Sequence, residues 1–201
     1  MSQSLEEIRS LVEKEVQAIH NIPVNESILN AIDALYEQIH INKGKIVISG
    51  IGKAGQIGQN IATTFCSTGS PAVFLHPSEA QHGDLGVLQP NDILLVISNS
   101  GKTEEILKLL ELADNLYPKI KTICITGHPE NELGRTANIC LSTGQPKEIC
   151  PLDLTPTTST TVMSVLGDLL VVMLMKKINF DKAGYAKRHH SGYLGQKSRM
   201  Q

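Results

Sequence analysis

The chain has no tryptophan, and aromatic residues make up 3% of its 201 residues. Nucleobase stacking platforms are built from such rings, so a single-strand nucleic-acid surface has nothing to stand on. An excess of either charge is also missing: 18 Lys and Arg against 20 Asp and Glu leave a formal net charge of -2. That excludes the basic field by which proteins hold duplexes or anionic membranes. The four cysteines (Cys66, Cys124, Cys140, Cys150) show no C-x-x-C spacing. Cys124 and Cys140 fall in apolar strand-like runs, so they read as small buried hydrophobes of a reducing compartment, not as disulfides or zinc ligands. The longest apolar tract, Val162 to Met175, carries Asp168 and reads as too short for a bilayer. The acidic, amphipathic start MSQSLEEIRSLVEKEVQAIH does not fit a signal peptide. The expectation is a soluble, cytoplasmic protein with neither a nucleic-acid nor a membrane partner.

What is present is alternation. Leu5, Ile8, Leu11, Val12, Val16 and Ile19 recur at helical spacing, as do Ile28, Leu29, Ile32, Leu35, Tyr36 and Ile39 after a cap at Asn25. Asn42-Lys43-Gly44 is read as the stop of that second helix. Strands follow at 45–49, 72–75, 93–97 (after the turn Gln89-Pro90-Asn91-Asp92), 121–126 and 138–141, separated by helical stretches. Pro146, Pro151 and Pro156 keep 142–156 irregular, a long loop of the kind that carries function. Residues 157–177 return to a helix that is apolar nearly all round, and so must be buried in this core or against another subunit. Alternating strands and helices predict a three-layer α/β sandwich: a five-stranded parallel sheet, flavodoxin-like, with helices on both faces. A single domain is expected, with leading helices in 1–41, the core in 42–178 and a tail in 179–201.

In such a sheet with strand order 2-1-3-4-5, a ligand binds beyond the carboxyl ends of strands one and three. The two loops there are Gly50-Ile51-Gly52-Lys53-Ala54-Gly55 and Ser98-Asn99-Ser100-Gly101-Lys102-Thr103. The second runs from a buried strand straight into a helix N-terminus, which favours anions. Ser98, Asn99, Ser100 and Thr103 supply donors of the kind phosphate oxygens need. Helix capping alone would need only one of them. The first loop is a G-x-G-x-x-G, by itself a weak dinucleotide signal. The strand that should then end in an acidic ribose ligand ends instead in Leu75-His76-Pro77, with Glu79 displaced into the following loop. A lysine inside the loop suits a phosphosugar better than a dinucleotide.

With these residues in view, the chain resembles the sugar isomerase (SIS) domain family, and within it the bacterial arabinose 5-phosphate isomerases. The resemblance is carried by the two loops, by Phe65-Cys66-Ser67-Thr68-Gly69-Ser70-Pro71, and by His76-Pro77-Ser78-Glu79-Ala80-Gln81-His82-Gly83-Asp84-Leu85-Gly86. Lys147 to Leu152 and Pro156 to Thr161 add to it. Two departures stand out. The pair of CBS domains that many members carry does not follow here, and the family's His-Pro-Gly-Gly is His189-His190-Ser191-Gly192.

The resemblance implies an aldose–ketose isomerase working through an enediol, between D-arabinose 5-phosphate and D-ribulose 5-phosphate, in supply of Kdo for lipopolysaccharide or capsule. No redox cofactor and no metal would be required. It places Lys53, Glu105, Glu148 and His189 at catalytic positions. Lys53 would stabilise charge, and Glu148 is the leading proton shuttle. Glu105 either orients Lys53 or is an ordinary first-turn acid. His189 would reach a neighbouring subunit's site. Glu79 is a second candidate base and His82 a substrate-binding group, because Glu79-Ala80-Gln81-His82-Gly83 is similar to the E-x-x-H-G of the isomerase half of glucosamine 6-phosphate synthase. Gly52, Gly69, Ser70, Ser98, Asn99, Ser100, Thr103, Thr158 and Ser159 complete the expected substrate contacts. His76 matches a position that binds zinc, read here as inhibitory only. A homotetramer with shared sites and a nucleotide-sugar end-product inhibitor are the expected partners. Another phosphosugar, or a binding domain without turnover, are the alternative readings.

Overall fold

In the computed structural model, which describes residues 3–199, five apolar runs pair into one parallel sheet. β1 (Ile46–Gly50), β2 (Ala72–Phe74), β3 (Ile93–Ile97), β4 (Lys121–Thr126) and β5 (Ile139–Ser142) lie in the order β2-β1-β3-β4-β5. β1 and β3 are buried along their whole length, as continuous apolar runs require when helices cover both faces. Their register sets Ile46 opposite Ile93 and Gly50 opposite Ile97, so the loops that leave them are neighbours. Asp92, 2% exposed, anchors the amino ends of this pair. Its carboxylate accepts the Lys45 N–H at 2.9 Å and the Gln89 N–H at 2.8 Å, and it pairs with the Lys45 ammonium.

The nine helices of the described residues are α1 (Gln3–His20), α2 (Glu26–Tyr36), α3 (Gly52–Ser67), α4 (Pro77–Ala80), α5 (Glu104–Leu116), α6 (Glu132–Thr136), α7 (Thr158–Lys177), α8 (Lys182–Ala186) and α9 (Gly192–Lys197). Strand side chains alternate between faces. Ile48, Leu95, Ile97 and Ile125 meet Leu35 of α2, Phe65 of α3 and Val162, Leu166 and Leu170 of α7. Val47, Leu94, Val96 and Cys124 meet Ala80 of α4, Ile106, Leu109 and Ala113 of α5, and Leu133 of α6. The result is a three-layer α/β sandwich with α1, α2, α3 and α7 on one face.

Some local expectations needed correction. The second helical run stops at Asn42 as expected, but it changes type on the way: α2 ends at Tyr36 and a five-residue π-helical turn, Glu37–Ile41, carries the chain to Asn42. The left-handed residue is Lys43, at φ 62°, while Gly44 is required because a Cβ there would collide with the Asn91 carbonyl. The stretch after β2 is not plain loop: Pro77 opens α4 and Asp84–Val87 forms a 3₁₀ turn. Nor is the late apolar tract too short for a bilayer. α7 has 20 residues and meets the length and composition of a spanning helix, yet half of it is buried in the core. Its outer face shows Leu169, Val172 and Met173, and α1 exposes Leu5, Ile8, Val12, Val16 and Ile19.

Candidate functional site

The turn after β3 is held from several sides. Gly101 takes φ +64°, and its carbonyl accepts the Leu133 N–H of α6 at 3.1 Å. The Asn99 carbonyl accepts the Gly127 N–H at 3.0 Å and the Thr126 hydroxyl at 3.2 Å. Asn131 Nδ2 donates to the Ser100 carbonyl at 2.7 Å. Asn131 carries no local sequence signal, and the reading from residues missed it. The carbonyls are therefore tied outward to β4 and α6; at the start of α5 the Ile106 and Leu107 N–H groups donate to the Thr103 carbonyl, while those of Glu104 and Glu105 have no partner among the described residues.

The side chains of the turn do not cap α5. Thr103 occupies the cap position but makes no cap hydrogen bond; its hydroxyl lies 2.6 Å from Ser98 Oγ, which is buried. Ser100 Oγ accepts the Lys102 N–H at 3.2 Å, and the buried Asn99 Oδ1 has no partner among the described residues. Hydroxyl and amide groups around an uncapped helix terminus are an arrangement that suits an anion. The glycine loop is more structural. Gly52 stands at φ +59°, and a Cβ on Gly55 would come within 2.7 Å of the Gly50 carbonyl, so Gly50 and Gly55 let α3 start directly against β1. That leaves Lys53 exposed in the first turn of α3 and Glu105, half-buried, in the first turn of α5.

Glu148 comes to the same end of the sheet from the loop after β5. One carboxylate oxygen, Oε2, accepts the Thr157 N–H at 2.7 Å, the Thr157 hydroxyl at 2.9 Å and the Ser159 N–H at 3.2 Å. It caps α7. Burial by itself would raise its pKa, but hydrogen bonds from Ser159 and Thr157 outweigh that and hold it below the usual carboxylate value. Ser159 Oγ, fully buried, lies beside this carboxylate without reaching hydrogen-bond geometry. α3 and α7 pack side by side on one face of the sheet, α3 carrying Lys53 in its first turn and α7 receiving the Glu148 carboxylate at its N-terminus. Two residues on, Cys150 is drawn down to about 7 by hydrogen bonds from the Thr155 side chain and then from the Leu154, Thr155 and Leu152 backbone.

Glu79 and His82 are exposed at the carboxyl end of β2, in the layer of α4. His76 caps α4, its Nδ1 accepting the Ser78 N–H at 3.3 Å. Among the described residues no three His, Cys, Asp or Glu side chains are grouped to hold a metal.

One chain does not bring Gly69, Ser70 and His189 to this cluster. Ser70 precedes β2 and its Oγ meets His40 Nε2 at 3.0 Å. A Cβ on Gly69 would strike Phe180. His189 stacks on Tyr185, with ring centroids 3.7 Å apart, and shares a cleft with Arg188, Thr63, Cys66 and Phe74. Cys66 is in the last turn of α3, roughly 20 Å along the helix from Lys53 at 1.5 Å per residue. A larger cleft of about 1240 Å³ runs along α5 past Lys108, Glu111 and Lys121; it reaches Glu104 and Glu105 of the first turn of α5 but no residue of 98–103.

A family profile described as "SIS domain" matches residues 39–173. A protein of Yersinia pestis named arabinose 5-phosphate isomerase KdsD is 46% identical over 186 residues, which are 92% of this chain and 55% of that protein. The chain spans about half the length of the curated relatives it matches. A solved Bacteroides fragilis NCTC 9343 protein, proposed as a phosphosugar isomerase involved in capsule formation, is 60% identical and superposes with a TM-score of 0.93, covering 94% of this chain and 99% of its own. An E. coli CFT073 protein solved in complex with arabinose 5-phosphate is 31% identical, with a TM-score of 0.85 over 94% of this chain and all of its own.

Proposed function

Because the chain belongs to the SIS domain family, we propose that it interconverts D-arabinose 5-phosphate and D-ribulose 5-phosphate through an enediol. The observation that carries this reading is the turn of Ser98, Asn99, Ser100 and Thr103, whose side chains leave α5 uncapped and adjoin the loop of Lys53. That turn grips the phosphate. Lys53 faces the developing enediolate charge, where a fixed cation is worth most. Glu148, ionised at neutral pH, carries the proton between C1 and C2, with Glu79 as the competing base. Glu105 steadies Lys53, and His82 meets substrate hydroxyls. The proton returns to the carbon skeleton, so no cofactor is consumed. His76 takes zinc only as an inhibitor.

His189, Gly69 and Ser70 serve the site of a neighbouring copy. The exposed apolar rows of α1 and α7 are the surfaces on which a homotetramer forms. The enzyme is cytoplasmic, feeds Kdo synthesis for lipopolysaccharide or capsule, and is inhibited by a nucleotide-sugar end product. The deciding experiment follows ribulose 5-phosphate formation from arabinose 5-phosphate by the purified protein in a chelator. Turnover is expected; a protein that binds the sugar phosphate without converting it would overturn the reading in favour of a binding domain.

A further inference from the structure

Glu148 reaches the N-terminus of α7 from a loop with three prolines, and that loop needs an anchor. The anchor comes from the far end of the sequence. Thr158, 1% exposed, has its hydroxyl in the middle of a relay: Oγ1 accepts the Ile149 N–H at 3.1 Å and donates to Glu15 Oε1 at 2.7 Å. Glu15 lies on α1, 143 residues away. Its second oxygen, Oε2, is buried and has no partner among the described residues. A polar atom held out of water without a partner is costly, so a surface helix does not turn a glutamate inward without a return.

The return lies in what the relay fixes. Ile149 follows Glu148 directly, and Thr158 sits between Thr157 and Ser159, whose N–H groups bind the Glu148 carboxylate. One hydroxyl thus ties the backbone on the loop side of Glu148 to the helix turn that receives its side chain. Glu15 locks the rotamer of that hydroxyl by taking its proton. We propose that Glu15 is a positioning residue, which acts through Thr158 to hold the Glu148 carboxylate where a substrate proton must be exchanged. This rests on the isomerase reading for its catalytic consequence and not for its structural one. A displacement of a proton-transfer group by a fraction of an ångström slows the reaction without weakening binding of the distant phosphate.

The test compares Glu15→Ala, Glu15→Gln and Thr158→Val in the full chain, by steady-state kinetics with arabinose 5-phosphate and by amide hydrogen exchange. The alanine variant is expected to lose about tenfold or more in kcat with KM changed less than about threefold, and to exchange faster across 147–157 while the sheet stays protected. Gln keeps an oxygen that accepts the Thr158 proton and is expected to restore both readouts. Thr158→Val cuts the relay at its centre and is expected to reproduce the exchange change, which covers the case of an alanine variant that does not fold. Unchanged exchange across 147–157, or a glutamine that fails to rescue, would overturn the proposal. If the unsubstituted protein turns over no sugar phosphate, the isomerase reading falls, while the exchange comparison still decides the role of Glu15.

Discussion

Thr103 stands at the cap position of α5, yet its hydroxyl faces Ser98 Oγ at 2.6 Å and no helix amide. A cap that is in place but not used leaves the helix terminus open to a ligand. Thr103→Val keeps the shape and removes the hydroxyl. It is expected to raise KM for the sugar phosphate about tenfold to a hundredfold, the worth of one hydrogen bond to a charged group. Thermal stability should fall by about 1–3 kcal/mol, because the buried Ser98 hydroxyl loses its partner even though no cap bond is lost. A thermal shift experiment beside the kinetics checks both halves.

Lys53 and His189 lie toward opposite ends of α3 within one chain. If sites are shared between copies, Lys53→Ala and His189→Ala are each inactive alone but complement when co-expressed. With random pairing in a twofold assembly, half the molecules are mixed and half their sites are intact, so about a quarter of full activity should return. No recovery above either single variant would mean that each site is built from one chain.

Glu148 is held below the ordinary carboxylate value by donors at the α7 terminus. A depressed folded pKa adds stability that is present above the unfolded value of about 4.3 and is lost as pH falls through the folded one. If Glu148 is the base, activity should therefore hold from neutral pH down to about pH 5. Glu148→Gln should lower kcat between about 100- and 10,000-fold and make stability less sensitive to acid below that point. A pH series of melting curves, read with the kinetic profile, separates the two effects.

Cys150 sits two residues from that carboxylate with its pKa drawn to about 7. Its alkylation by iodoacetamide should reach half its limiting rate near pH 7, while an ordinary thiol needs about pH 8.5. Peptide mapping should find Cys124, fully buried, unmodified under the same conditions.

The sheet order and the polar turn between β3 and α5 were legible because their signals are local: unbroken Ile, Leu and Val runs, and four donors within six positions. The π-turn at Glu37–Ile41 was not, since the apolar spacing of Leu35, Tyr36 and Ile39 reads the same for an α-helix. Asp92 read as part of a turn, and its anchoring of β1 through Lys45 spans 47 residues. Glu15 looked like one more acid on an amphipathic helix, because its partner lies at the other end of the chain. Glu148 was singled out by resemblance alone, and its grip on α7 depends on folding that no spacing encodes. For Asp92, Glu15 and Glu148 the deciding contact joins residues that only the finished fold makes neighbours.

The row of Leu5, Ile8, Val12, Val16 and Ile19 leaves α1 fastened to its own molecule along one side only. A second copy seated on the other side, in the proposed homotetramer, would also steady the helix that carries Glu15. Dilution that strips this cover would wet five aliphatic side chains and loosen the carboxylate beneath them, so the rate per molecule should fall as the solution thins.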